Sequence, residues 1–140
     1  MQQNNKKNDT GRAEKISYIH FNANPVHNRV EDCTVRALAC ALDTSWDREY
    51  VRLAAQGYDM KSMMHDNDVW GAYLLDEGFT AHGLAESILR RYTVRDFAAD
   101  NPRGIYVVRT NGHVLTIRDG DYFDTWDSGD EVPLMVFERR

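Results

Sequence analysis

The sequence has no long apolar run and very few cysteines, and these two absences exclude several classes of protein. No stretch approaches the roughly 18 to 20 apolar residues that a membrane span requires, and the N-terminus lacks the apolar core of a secretory signal. Its two cysteines, Cys33 and Cys40, lie seven positions apart on one predicted helix, about 10 Å along the axis, which is too far for a disulfide. We therefore expect two free thiols in a cytoplasmic protein that does not associate with a membrane.

Basic residues are also scarce, since 17 Lys and Arg stand against 22 Asp and Glu and give a net charge of -5. Nucleic-acid binding relies on clustered Lys and Arg against phosphates, so we expect no nucleic-acid partner. Residues 1–15 contain almost nothing apolar and cannot bury enough surface to offset the entropy of ordering. We predict a flexible tail over 1–15 and one domain over 16–140. That domain carries a charge of -7, which is also compatible with an inhibitor that mimics nucleic acid.

Spacings typical of metal and cofactor sites are missing as well. The histidines do not follow a ligand pattern such as HxxxH, and two non-adjacent cysteines do not make a zinc site. No glycine pattern of the kind that cradles phosphates occurs. We therefore expect neither a metal nor a cofactor.

Apolar residues recur at helical spacing in the first part of the chain and at strand-like spacing near its end. The predicted helices span 33–42, 46 to near 57, 67 or 68 to 77, and 94–99. A short extended segment is predicted over 16–21, and strands over 105–108, 114–117, 122–126 and 134–137. Helices followed by an antiparallel meander predict an α+β domain, with N-terminal helices packed on one side of a C-terminal antiparallel sheet.

Cys33 stands at the start of the first predicted helix, with Asp32 as the expected N-cap. Unpaired amides and the helix dipole favour a thiolate at this position. The acidic pair Glu31 and Asp32 acts in the opposite direction, so an imidazolium partner would be needed. His113, on a predicted strand, is the expected partner.

A carboxylate on the next strand would orient that imidazole and stabilise its positive charge. The turn Asp119-Gly120-Asp121 sets a hairpin register that places His113 opposite residue 126 or 127 and makes Asp124 its diagonal neighbour. Asp124 is therefore the expected third residue. Asp127 is an alternative, and Asp121 is a weaker one because it lies close to the turn.

A nucleophile of this kind also needs a hydrogen-bond donor for the negative oxygen of the intermediate. The loop ahead of the helix offers Asn24, His27 and Asn28. We favour Asn28 as the oxyanion donor and leave the other two open.

Five pieces of sequence, in this order, resemble the papain-like cysteine peptidase superfamily. They are Asp32-Cys33, the predicted helix around Trp46 to Ala55, the segment Leu75 to Phe79, His113-Val114-Leu115 and Asp124-Thr125. The likeness is greatest to the small bacteriocin-leader-processing (double-glycine) peptidases, and a weaker one extends to the CHAP-type cell-wall amidases. The chain departs from the peptidase pattern at His27, where that family has glutamine, and Thr125 stands where it has proline.

The resemblance implies a papain-like fold and hydrolysis of an amide bond through an acyl-enzyme, with Cys33, His113 and Asp124 as the catalytic triad. The substrate class it implies is a peptide or protein, or peptidoglycan. The alternative is a papain-like module that has lost catalysis and serves in binding or in a structural role, as in a phage particle.

Overall fold

The computed structural model describes residues 16–84 and 86–139, so the tail predicted over 1–15 lies outside the described residues. Five helices are described: α1 (Cys33–Leu42), α2 (Trp46–Met60), α3 (Asn67–Asp76), α4 (Glu86–Arg90) and α5 (Val94–Asp100). The six strands are β1 (Tyr18–His20), β2 (Thr80–Gly83), β3 (Ile105–Thr110), β4 (His113–Arg118), β5 (Asp121–Asp124) and β6 (Met135–Arg139). The α+β class expected from the sequence is confirmed. Within the described ranges, no helix is long and apolar enough to cross a membrane.

Helix α1 follows the predicted bounds and is the most deeply buried of the helices around the site. Its apolar residues, such as Leu38 at 0% exposure, recur at three- and four-residue spacing. It ends at Asp43, whose left-handed backbone lets its N–H bond the carbonyl of Cys40. Asp32 precedes the helix as predicted, but its side chain accepts no hydrogen bond from the helix amides. That part of the N-cap prediction is wrong, because the carboxylate is engaged elsewhere.

The six strands form one sheet in the order β1-β5-β4-β3-β6-β2. Strands β3, β4 and β5 form the predicted meander, and a two-residue turn at Asp119 and Gly120, both with positive φ, joins the last two. β6 then returns to pair with β3, and β1 pairs with β5 in parallel. The sheet is therefore mixed, and the expectation of a purely antiparallel sheet is wrong.

Hydrophobic cores lie on both faces of this sheet. Helices α1, α2 and α3 cover one face, where Val107, Val114 and Phe137 point toward them. Helix α5 covers the other face through Phe97 and its neighbours. The prediction that the helices lie on one side is therefore wrong. Adjacent buried residues of β6 pack into the two different cores, because successive side chains of a strand point to opposite faces of the sheet.

Some boundaries also differ from the sequence prediction. α2 continues through Gly57 to Met60, so Gly57 does not end the helix as predicted. Close packing accounts for the glycine instead, because a Cβ at this position would lie 2.8 Å from the carbonyl oxygen of Ser62. β5 stops at Asp124 rather than at Trp126. The short elements β2 and α4 were not predicted, since β2 is exposed along its whole length and shows no apolar alternation.

Candidate active site

Cys33 is the first residue of α1, and His113 is the first residue of β4. The two elements are tied together by the Thr116 hydroxyl, which donates to the Ala37 carbonyl at 2.6 Å. The apolar face of α1 packs on the same part of the sheet. Because these contacts hold α1 against β4, the first residues of the two elements, Cys33 and His113, meet at one end of the sheet.

His113 lies against the carboxylate that the register predicts. β4 pairs with β5 up to Thr116 and Phe123, and extending that register brings Trp126 opposite His113 and Asp124 next to it on the diagonal. Nε2 of His113 lies 2.6 Å from Oδ2 of Asp124. The indole of Trp126 lies over the imidazole with ring centroids 5.2 Å apart. Since Nε2 faces the carboxylate, Nδ1 is the ring nitrogen left for the thiol.

The ionisation of Cys33 and His113 is coupled. Burial raises the pKa of the Cys33 thiol, but the hydrogen bond and charge of His113, the N–H of Val114 and the charge of Arg36 outweigh it and leave the pKa below its ordinary value. Burial lowers the pKa of His113, whereas hydrogen bonds to Asp124 and Cys33 raise it, with a net result of about 9. The arrangement therefore favours a proton on the imidazole and a negative charge on the sulfur.

Asp124 is buried and held by several donors. The hydroxyl of Ser128 donates to Oδ2 at 2.6 Å, and the N–H of Thr125 donates to Oδ1 at 2.8 Å. The guanidinium of Arg36 lies 3.7 Å from Oδ1. These contacts fix the carboxylate in the orientation that faces His113. No sequence pattern identified Ser128, which lies in the loop after β5.

The two alternative carboxylates have other partners. Asp127 accepts a hydrogen bond from the Tyr122 hydroxyl at 2.5 Å, on the side of the sheet that α5 covers. Asp121 accepts from the N–H of Ser17 at 3.1 Å, near the turn. Only Asp124, among the described carboxylates, is hydrogen-bonded to His113.

Arg36 joins the residue before the nucleophile to the third member of the site. Its guanidinium forms an ion pair with Asp32 and reaches Asp124, and its side chain is 12% exposed. Asp32 also accepts from Nε1 of Trp46 at 2.9 Å and from Nδ2 of Asn24 at 3.3 Å. The charge of Asp32 is thus compensated by Arg36, and its carboxylate holds the loop before α1 in place instead of opposing the thiolate. The four-residue spacing of Asp32 and Arg36 on a helix is the sequence signal from which this ion pair could be predicted.

The candidates for the oxyanion donor are placed differently from one another. Asn24 is buried, its Nδ2 donates one of its two hydrogens to Asp32, and its Oδ1 accepts from the N–H of Val26 at 3.0 Å. Asn28 and His27 are exposed and line the same cavity as the thiol. The free amides at the start of α1 are the remaining donors near the sulfur.

Two cavities meet at the thiol and the imidazole. One of about 460 Å³ lies toward the start of α3, and one of about 920 Å³ lies toward the loop before α1. Cys33, His113, Glu31 and Gly112 line both. A third cavity of about 290 Å³, lined in part by apolar residues of α1 and α2, adjoins them at Glu31. The thiol therefore stands at the floor of a cleft open on two sides.

The described residues contain no group of three or more His, Cys, Asp or Glu side chains that could hold a metal ion. His113, the histidine closest to the thiol, is engaged with Asp124 through one of its two ring nitrogens.

Comparison of the chain with family models, with curated protein sequences and with solved structures finds no match.

Proposed function

We propose that the protein is a cysteine hydrolase with a papain-like arrangement, and that it cleaves an amide bond through an acyl-enzyme. The observation that carries this proposal is the hydrogen-bonded series from Cys33 to His113 to Asp124 at the floor of the cleft. A structural cysteine would have no need of a buried imidazole and carboxylate in series with it. Cys40, on the same helix, illustrates the difference, because burial raises the pKa of its thiol to about 11.

The reaction follows from the protonation states. With a pKa of about 9, His113 is protonated at neutral pH, and its charge and hydrogen bond lower the pKa of Cys33 and so favour the thiolate. The thiolate attacks the substrate carbonyl carbon, and the free amides at the start of α1 stabilise the oxygen anion, with Asn28 as an additional donor. The imidazolium gives its proton to the leaving amine as the C–N bond breaks. A thioester on Cys33 remains.

Deacylation reverses the proton transfer. The neutral imidazole accepts a proton from a water molecule, and the hydroxide attacks the thioester carbonyl. Collapse of this second intermediate releases the carboxylic acid and restores the thiolate with the imidazolium. Asp124 keeps the ring oriented with Nδ1 toward the sulfur and stabilises its positive charge in both half-reactions.

The element order supports the papain-like assignment. The cysteine opens a buried helix, the histidine opens a strand packed against that helix, and the carboxylate ends the next strand. A peptide or protein is the substrate class we propose, with peptidoglycan as the alternative amide. The cleft, open on two sides of the thiol, suits an extended chain better than a small molecule enclosed on all sides.

A catalytically inactive binding module is the second candidate. The observation that favours it is the oxyanion side of the cleft, where the amide of Asn24 bonds to Asp32 and Val26 and the side chain of Asn28 is exposed. Such a module would retain the fold and the cleft but would not turn over a substrate.

The test is acyl-enzyme formation with p-nitrophenyl acetate, followed by intact-mass measurement and release of nitrophenolate. We expect one acetyl group on Cys33, lost with time as water resolves the thioester. Cys40→Ala is the matched control and should behave as the wild type, whereas Cys33→Ala should form no adduct. Hydrolysis that persists in Cys33→Ala would contradict the proposal, and absence of any turnover in the folded wild type would favour the binding module.

A further inference from the structure

One half-buried arginine lines the cleft without a partner. Five of the described arginines are half-buried, and Arg109 is the one among them whose side chain makes no hydrogen bond or ion pair with another described residue. An unpaired, partly desolvated charge is unfavourable unless a ligand compensates it. The other four guanidinium groups bond to Asp32 (Arg36), the Tyr73 hydroxyl (Arg52), the Cys40 carbonyl (Arg118) and the Glu77 carbonyl (Arg139).

The sheet register explains how Arg109 reaches the cleft. It pairs with Val114 of β4 and with Met135 of β6, so it shares a face with them. That face packs against α1, and Val107, two residues earlier on the same face, belongs to its core. Arg109 therefore stands one step beyond the core, at the end of the sheet where the cleft opens. It lines the cavity of about 460 Å³ together with Cys33.

The neighbours of Arg109 in this cavity are suited to a singly charged anion. The side-chain oxygen of Asn67 accepts from Nε1 of Trp70 at 3.1 Å, which leaves its NH₂ group as a donor at the start of α3. His65 lines the same cavity and adds a second imidazole to that of His113. Glu31 also lines the cavity and repels any anion in proportion to its charge, so it disfavours a phosphate dianion more than a carboxylate. A planar carboxylate matches the fork of the guanidinium and carries one charge.

We propose that Arg109 binds a carboxylate of the substrate beside the scissile bond, so that the preferred substrate is a peptide with a carboxylate at that position. Its consequence for substrate cleavage rests on the proposed function, whereas binding of the carboxylate to Arg109 requires no catalysis. The carboxylate is either an acidic side chain or a chain terminus. Arg109 is thus a specificity-determining residue on one side of the thiol.

The first test compares labelling rates of Cys33 by three iodoacetyl reagents of similar size. N-iodoacetylglutamate α-amide presents a side-chain carboxylate, N-iodoacetylglutamine presents a terminal carboxylate, and N-iodoacetylglutamine amide is neutral. At neutral pH we expect one carboxylate reagent to react faster than the neutral one with the wild type. The identity of the faster reagent distinguishes a side chain from a terminus.

Substitutions at Arg109 separate its effect on the labelling rates from that of His113, because the charge of His113 is present in every variant and acts on every reagent. In Arg109→Gln we expect the ratio of carboxylate to neutral rates to fall about tenfold, as the loss of a charge-assisted hydrogen bond implies. Arg109→Lys should retain part of the preference because it keeps the charge without the fork. Arg48→Gln removes an equal charge from an exposed position outside the cleft and should keep the wild-type ratio. A wild-type ratio in Arg109→Gln, or an equal fall in Arg48→Gln, would overturn the inference.

A second measurement does not depend on thiol reactivity. The Nε–Hε resonance of Arg109 in ¹⁵N-labelled protein is assigned by its absence in Arg109→Gln. We expect it to shift with N-acetylglutamate α-amide or N-acetylglutamine, and not with N-acetylglutamine amide. If Cys33 is unreactive but this shift occurs, the proposed function fails and the carboxylate site stands. If neither carboxylate moves the resonance, the site is refuted whether or not Cys33 reacts.

Discussion

Replacing Asp124 by Asn tests the electrostatic basis of the site, because the carboxylate is the main group that holds His113 protonated. The pKa of His113 is about 9, and the hydrogen bond to Asp124 is the largest of the contributions that raise it. Against an ordinary value near 6.5, that difference corresponds to about 3 kcal/mol in favour of the imidazolium. Burial acts in the opposite direction and remains after the substitution.

In Asp124→Asn we expect the pKa of His113 to fall by about 1 to 3, the range in which a nearby opposite charge acts. A fall of that size brings the pKa to about 6 to 8, so the neutral fraction of the imidazole near pH 7 rises and the thiolate fraction of Cys33 falls. The assay is the pH titration of the His113 ring by NMR, combined with the rate of Cys33 alkylation at neutral pH, which should fall in parallel.

Asp127→Asn is the matched control, since it removes an equal charge a few residues away from a carboxylate bonded to Tyr122. It should leave the pKa of His113 at about 9. An unchanged His113 titration in Asp124→Asn would refute the reasoning. An equal fall in both variants would also refute it, because the effect would then be one of general charge.

Three further predictions concern stability and reactivity. Arg36→Met leaves the buried carboxylate of Asp32 without its ion-pair partner and removes a cation from beside Asp124, which keeps its contact with His113. It should lower the free energy of unfolding by about 3 to 5 kcal/mol in urea titrations. Arg48→Met at an exposed position should change it by less than about 0.5 kcal/mol, and equal effects would contradict the bridging role. Cys40, with a pKa of about 11, should resist iodoacetamide below pH 9 in peptide mapping, and labelling comparable to that of Cys33 would contradict its burial. In Cys33→Ala, His113 loses the contribution of Cys33 but keeps the hydrogen bond to Asp124, so its pKa should remain raised and lie below the wild-type value of about 9. This raised pKa should stabilise the fold fully below pH about 6.5 and lose the effect as pH rises through the pKa of the variant. Urea unfolding should show that slope, and a slope that persists when His113 is also replaced by Gln would assign it to another group.

The wild type should show a shallower pH dependence than Cys33→Ala over the same range. The lowered pKa of Cys33 stabilises the fold above the ordinary thiol pKa of about 8.5 and loses that effect as pH falls, which is opposite to the effect of His113. The raised pKa of His113 adds protons to the folded state, whereas the lowered pKa of Cys33 removes them. The two contributions therefore offset each other when both residues are present.

The local features of the site could be predicted from the sequence because they depend on short-range rules. Helical spacing and a small acidic residue before Cys33 indicate a buried helix that begins there. The turn at Asp119 and Gly120 fixes the register of one hairpin, and with it the proximity of His113 to the carboxylate at the end of the next strand.

Features that depend on long-range pairing could not be predicted. The return of β6 to β3 and the parallel pairing of β1 with β5 bring together segments far apart in the chain, and no local pattern encodes that choice. The reach of Arg36 to Asp124 follows only once α1 is packed on β4. Ser128 belongs to a loop whose path depends on the same packing.

The most direct test of the central claim is the pH dependence of Cys33 alkylation by iodoacetamide in the folded protein, with Cys40→Ala as background. The account predicts rapid labelling well below the pKa of about 8.5 of a free thiol, and loss of that labelling in His113→Ala. His82→Ala, which removes an exposed histidine paired with Glu138, should leave the profile unchanged. Labelling that rises only near pH 8.5 and is the same with and without His113 would contradict the claim.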